Sequence, residues 1–535
     1  CLLASQATIL ACCSSLMELS AGATLLFLSL ISLMMLVSLL SRRKSTPSSN
    51  KMRRPPGPRR LPLIGSLHHL VTSMPPQVVL RDLAKKHGPV MYLRLGQVDT
   101  VVISSPAAAQ EVLRDKNLTF ASRPSLLATE IICYGNTDVA FAPYGVYWRT
   151  LRKLCVVQLL SARKVRQFSP IRDSETLSLV SNIRLASRDN ETVNLGKLLM
   201  KCSNTITARA TFGDACDPEL QERFLSAIQV ALDASGGFCI GDLFPSLRFV
   251  DVVTGLKGRL WRARGQLDAV FDTIIAGCEA RREEKKKTTR TTATTGDDDL
   301  LSVMLRIKEE GELDFPIGTT NVKAIIVDLF TAGTETTSST VEWIMSELMR
   351  NPEVMAKAQA EVRRTLDHKS PEDHEGQMDK LSYTKMVIKE GMRLHPVVPL
   401  LLPRVCRETC DVGGLQVAGG SRVMVNVWAI ARSPEYWHDA EEFSPERFKD
   451  SAVDYNGTQF EYLPLGSGRR MCPGGTYGLS TLELMLARLL YYFDWSLPAG
   501  IRPNELDMDM IVGGTMRRRN QLHLVATPYN VPMEF

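Results

Sequence analysis

Hydrophobic residues along this chain change rhythm several times, and each rhythm predicts a different kind of element. From Ala21 to Leu40 no charge interrupts a run rich in Leu, Ile, Met, Val and Phe. At about 1.5 Å per residue such a helix spans about 30 Å, the thickness of a bilayer's hydrocarbon core. The basic residues Arg42, Arg43, Lys44, Lys51, Arg53 and Arg54 follow it, and positive charge stays on the cytoplasmic side. Pro55-Pro56-Gly57-Pro58 then forbids the helix from continuing. From about Leu80 to Arg350 apolar positions recur at helical spacing, apart from Val90 to Ile103, whose Val, Tyr and Thr content suits a β-hairpin. Glu283 to Asp299 is charged and almost free of apolar residues, so a solvated loop is expected there. After Pro396, strand-like pieces such as Ser421 to Trp428 lie among loops. The pattern is mainly α with small β-sheets.

These rhythms divide the chain into four parts. Residues 1–16, which precede the first methionine, Met17, are expected to be a non-native or untranslated leader. Residues 17–41 are expected to form a transmembrane signal anchor, 42–62 a basic and proline-rich hinge, and 63–535 the catalytic domain. Composition narrows the function. The net charge of +6, from 64 basic against 58 acidic residues, is too mild and too dispersed for a nucleic-acid binder. The twelve cysteines include no CxxC pair, and Cys406 and Cys410 read as ordinary reduced thiols.

Four constellations carry candidate chemistry. A helix from about Thr320 to Arg350 has a buried face of Val322, Ile325, Ile326, Leu329 and Phe330, ended by Asn351-Pro352. Its centre, Thr331-Ala332-Gly333-Thr334-Glu335-Thr336-Thr337, places Gly and Thr where Ala or Leu would make a better helix. That segment is either a proton-delivery site beside a ligand or a polar kink. Glu390 and Arg393 share one helical face, and Arg447 in Pro445-Glu446-Arg447-Phe448 offers a second guanidinium; the alternatives are a buried network and a surface ion pair. Trp148 and Arg152 put an indole N–H and a guanidinium four apart, donors for a planar carboxylate ligand or plain amphipathic surface. Last comes Leu463-Pro464-Leu465-Gly466-Ser467-Gly468-Arg469-Arg470-Met471-Cys472-Pro473-Gly474, with a helix expected from about Tyr477. Its glycines let backbone N–H groups approach one sulfur, and those donors with the arginines should lower the thiol's pKa.

With these residues in place, the chain resembles the cytochrome P450 family, specifically the plant microsomal monooxygenases. The cysteine loop matches Phe-x-x-Gly-x-Arg-x-Cys-x-Gly at Gly468, Arg470, Cys472 and Gly474, with Leu465 where phenylalanine is usual. The pattern Ala/Gly-Gly-x-Asp/Glu-Thr-Thr/Ser matches Ala332, Gly333, Glu335, Thr336 and Thr337; Glu390 with Arg393, and Trp148 with Arg152, match two more. Within the family the chain is similar to grass enzymes of diterpenoid oxidation.

The resemblance implies a helix-rich haem domain behind an N-terminal membrane anchor, held in the endoplasmic reticulum membrane with the catalytic domain facing the cytosol. It implies haem b with Cys472 as the iron ligand, O2 as co-substrate, and electrons from NADPH through NADPH-cytochrome P450 reductase, with cytochrome b5 as a further partner. Trp148, Arg152, Arg404 and Arg470 are the expected partners of the haem propionates, with Gly468 and Gly474 shaping the loop. Thr336 and Glu335 would deliver protons, and Ala332 and Gly333 would leave room for dioxygen and substrate. Glu390, Arg393 and Arg447 would be structural. Val397, Val398, Leu400, Leu401 and Val512 would line the pocket for a hydrophobic substrate. Two other functions keep the same fold: a hydroperoxide isomerase that needs no reductase, and a non-catalytic haem or lipid binder.

Overall fold

The computed structural model describes residues 54–188, 191–213, 218–234, 239–288, 299–311 and 316–529. The leader and anchor segments, 1–41, lie outside the described residues, as does most of the loop expected at 283–299. No helix among the described residues is long and apolar enough to cross a membrane.

The principal helices are α1 (Pro76–His87), α2 (Val146–Leu154), α3 (Ser169–Ala186), α4 (Leu195–Phe212), α5 (Pro218–Ala234), α6 (Leu256–Thr288), α7 (Leu300–Glu310), α8 (Thr319–Arg350), α9 (Pro352–Leu366), α10 (Ser382–Leu394) and α11 (Gly475–Tyr492). They surround α8, which is buried along most of its length because both of its flanks are apolar: Ile325, Ile326, Trp343 and Ile344 are fully enclosed. Phe330 of α8 stacks on Phe212 of α4 at 5.8 Å and meets Phe224 of α5 at 4.2 Å, fixing three helices around one aromatic cluster. Arg350 and Asn351-Pro352 end α8 where the sequence predicts.

The expected hairpin is present as β1 (Val90–Leu95) and β2 (Val98–Ile103), paired from Val90 with Ile103 to Leu95 with Val98. Gly96, at φ +62, makes the tight turn. β2 pairs in parallel with a strand at Arg422–Val425, and that strand pairs with Arg404–Val405, completing a four-stranded sheet. The described part of the expected hinge is docked on this sheet: Tyr92 N–H donates to the Pro56 carbonyl at 2.8 Å, and the Arg60 guanidinium lies 4.5 Å from the Tyr92 ring. Pro55 and Pro58 are buried. Prolines held extended fit a sheet edge that needs acceptors more than donors.

Candidate active site

The cysteine loop is built by two turns and one buried arginine. Gly466 and Gly468 both have positive φ, +72 and +70. A Cβ on Gly468 would also stand 1.9 Å from the Leu113 carbonyl oxygen, so only glycine fits. Cys472 N–H donates to the Leu465 carbonyl at 3.0 Å and closes the loop on itself. Three residues later α11 begins, and it touches the centre of α8. Tyr477 lies 3.6 Å from where a Gly333 Cβ would be, and a Cβ on Gly478 would lie 3.7 Å from Thr337 Oγ1. Cys472, Ala332 and Thr336 are thus brought to one region from positions 136 residues or more apart in the chain. Ala332 is exposed although it sits mid-way along a buried helix, and Cys472 likewise keeps accessible surface although it lies deep within the fold, where it is largely desolvated.

Replacing Gly468 with alanine is expected to abolish haem retention in the purified protein. Left-handed backbone costs a Cβ-bearing residue about 1–2 kcal/mol before the contact with Leu113 is counted. Gly474→Ala is the matched control for the fold, because Gly474 has φ −92 and no atom within 4 Å of an added Cβ. Circular dichroism of both variants checks the contrast.

The thiol departs from expectation. Burial pushes Cys472 up, while the Gly474 N–H and the Arg152 guanidinium pull it down by less. The two arginines of the loop do not serve it: Arg469 donates to Asn117 Oδ1 at 2.7 Å, and Arg470 donates to the carbonyls of Ala121, Val139 and Ala142. A thiolate here is made by a coordinated metal, which deprotonates its thiol ligand outright, rather than by the loop alone.

Three guanidiniums gather beside the loop. Arg404 and Arg470 were expected; Arg123 was not. All three are buried, and Arg123 donates to the carbonyls of Ala140, Leu402 and Pro403. Burial lowers Arg470 to about 9, with Arg404 the next cause, and burial lowers Arg404 to about 10. Burial likewise holds Arg123 well below its ordinary value, and Arg404 and Arg470 add to the effect. Among the described residues Arg404 Nε has no hydrogen-bond partner, and its other donors reach Phe120 and Ser467 carbonyls only at 3.4 and 3.5 Å. Buried positive charge in excess, with one guanidinium incompletely satisfied, fits a ligand that brings carboxylates. Trp148 and Arg152 take other partners: the indole donates to the Val139 carbonyl at 2.9 Å and Arg152 to the Met471 carbonyl. The Arg470 guanidinium lies 4.1 Å from the Trp148 ring. The residues present therefore fit haem b.

On α8, Thr336 Oγ1 donates to the Ala332 carbonyl at 2.6 Å, the i−4 bond its position predicts. Glu335 is buried and pairs with Arg517 of the strand at Met516–Arg518 at 3.4 Å, a partner with no signal in the sequence. The missing Cβ of Gly333 faces Thr207 of α4, 3.0 Å away, and the Gly333 carbonyl accepts from Ser203. Its small size admits a neighbouring helix.

Glu390, Arg393 and Arg447 are assembled as one buried network. Arg393 Nε and Nη2 grip Glu390 at 2.7 and 2.9 Å, and Arg447 Nε meets the same carboxylate at 2.9 Å. Arg393 also donates to the carbonyls of Ala431, Ala440 and Glu442, which ties α10 to the loops that precede the cysteine.

The expected pocket residues divide. Val397 and Val512 pack together beside Trp343, Trp428 and Met516, and Leu401, at φ +50, reaches towards Gly466. Val398 is partly buried. Leu400 is a core residue instead, enclosed with Leu70, Leu80, Met91 and Leu93 beneath the sheet, because the chain turns there, Leu401 N–H donating to the Val398 carbonyl at 3.0 Å. A cavity of about 430 Å³ lies elsewhere, where Leu127, Ile131, Tyr134 and Trp261 meet Thr320.

Comparison with known proteins agrees with this geometry. The family model described as Cytochrome P450 matches residues 55–524. The chain is 62% identical over 521 residues to Cytochrome P450 99A2 of Oryza sativa subsp. japonica, covering 96% of this chain and 94% of that one. It is 61% identical over 513 residues to the 9-beta-pimara-7,15-diene oxidase of the same plant, covering 96% and 98%. Among solved structures, a zebra fish cytochrome P450 with progesterone is 25% identical and superposes with a TM-score of 0.69, over 85% of this chain and all of that one.

Proposed function

The chain belongs to the cytochrome P450 family, and from that premise we propose that this monooxygenase oxidises a hydrocarbon-like diterpene, with Cys472 as the iron ligand. Two observations support the substrate: the 61% identity to a pimaradiene oxidase over nearly both chains, and the partly buried apolar side chains of Val397 and Val512, which share one cluster, and of Leu401, which reaches the cysteine loop at Gly466.

Bound haem supplies the activation of dioxygen, fed by electrons from NADPH through a reductase, and a thiolate ligand favours O–O cleavage. The chain's own groups do the rest. Cys472 presents its sulfur from a loop locked by Gly468 and by its own N–H bond to Leu465. Arg123, Arg404 and Arg470 would hold the two haem carboxylates, with Trp148 and Arg152 bracing the carbonyls around them. Thr336 Oγ1, which now donates to Ala332, can turn that proton outward, and Glu335 with Arg517 is the acidic end of the relay, reached through water. Leu465 packs 3.1 Å from where a Gly475 Cβ would be, so an aliphatic side chain fills the place beside the ligand that the family usually gives to an aromatic.

We further place the protein at the endoplasmic reticulum membrane through residues 17–41, with its body towards the cytosol and cytochrome b5 as an accessory donor; the uncharged run and the basic residues after it support this. Microsomes carrying this protein and a plant reductase should convert at least one diterpene olefin of a panel into an oxygenated product, only with NADPH. Product without reductase would favour the isomerase, and no product from any terpenoid would remove the substrate reading.

A further inference from the structure

A pair of acids, Asp138 buried and Asp328 partly so, stands outside everything assigned above. Asp328 lies one helical turn before Ala332 on α8, and Asp138 lies in the loop that leads to α2. Their carboxylates and the Cys133 sulfur lie within 4.8 Å of one another. Asp138 is fully enclosed, and its Oδ1 meets no N–H or hydroxyl among the described residues. Its other oxygen accepts from Phe141 N–H at 3.1 Å. Asp328 Oδ2 accepts from Val139 N–H at 2.6 Å and Ala140 N–H at 3.0 Å.

The loop these acids hold is the one whose carbonyls receive the anion-binding arginines. Val139 accepts from Arg470 and Trp148, Ala140 from Arg123, and Ala142 from Arg470. We propose that Asp138 and Asp328 are positioning residues that share one proton, which clamps residues 138–142 to α8 and leaves one negative charge facing the arginine cluster. This rests on the haem-thiolate reading of the site.

Charge and geometry give the direction. Two ionised carboxylates at this spacing repel, while a carboxyl donating to a carboxylate fills the Asp138 oxygen that no other group reaches. Burial, and next the charge of Asp138, hold Asp328 well above the ordinary carboxyl range, and burial raises Asp138 too. The other titratable or charged groups facing the pair are Cys133, Tyr147, Cys155, Arg123 and Arg470. Because the native pair binds a proton that the unfolded chain releases, its stabilisation is complete below the ordinary carboxyl pKa. It is lost as pH rises through the native value of Asp328.

The test is the rate of haem loss from the holoprotein to apomyoglobin, followed by absorbance from about pH 6 to about pH 8, below the range in which Arg470 and Arg404 lose charge. Asp328→Asn should match the parent near neutrality, since an amide reproduces the acceptor for Val139 and Ala140 and donates to Asp138. It should also lack the alkaline acceleration that the parent shows. Asp328→Ala should lose haem on the order of tenfold faster at every pH, because two buried N–H groups lose their acceptor. An asparagine variant as leaky as the alanine variant at neutral pH, or one that accelerates with alkali as the parent does, overturns the proposal. A parent whose rate is independent of pH overturns it too. Failure of the haem-thiolate reading would show differently, as absence of the thiolate absorbance band in the parent.

Discussion

Cys472→Ser should leave a folded protein with no measurable turnover. The expected loss is on the order of 10⁴-fold or more, as when a group on which the whole catalytic unit depends is removed. A serine oxygen matches the sulfur in size and keeps the Cys472 N–H bond to Leu465 intact, so the loop should survive. What disappears is a ligand that can be deprotonated by iron and push electron density towards it. The variant is checked by NADPH-dependent product formation with reductase, alongside circular dichroism to show that the fold persists.

Glu390→Ala should have the largest effect on the protein itself. It removes the carboxylate shared by Arg393, which is fully buried, and Arg447, which is nearly so. Breaking a buried ion pair by deleting one partner costs about 3–5 kcal/mol, because the remaining charge stays desolvated and uncompensated. Ser444 N–H would lose its acceptor as well. Urea unfolding followed by tryptophan fluorescence should show a much lower midpoint, and little soluble protein should accumulate in cells. Glu390→Gln should fall between the two, since an amide oxygen still accepts from one guanidinium but carries no charge. A midpoint unchanged in the alanine variant would mean that the network does not hold the loops before the cysteine.

Much of this site was legible in the sequence because its chemistry is local. Cys472 with its glycines, Glu390 with Arg393, and Trp148 with Arg152 each lie within one loop or one helical turn, where spacing alone predicts proximity. The hairpin and α8 were legible for the same reason, through period and terminators. The unread parts are those where distant segments meet. Arg123 precedes a proline in an irregular loop, Asp328 reads as one polar residue on an apolar helix, and Arg517 sits in a three-residue strand; no periodicity marks any of them. At Gly333 the lack of a side chain was visible, but that α4 needs part of the space depends on how α4 crosses α8. Leu400 failed in a similar way, since a run of apolar residues does not say which of them face a ligand and which face the core. The thiol's pKa was misjudged because burial, which the sequence does not display, outweighs the nearby donors.

The central claim is iron bound to the deprotonated sulfur of Cys472, and the absorbance spectrum of the dithionite-reduced, carbon monoxide-bound protein tests it most directly. The long-wavelength band of a thiolate-ligated haem is the predicted result, Leu465 notwithstanding. A spectrum of the kind given by histidine- or thiol-ligated haem, in freshly prepared and folded protein, would contradict it.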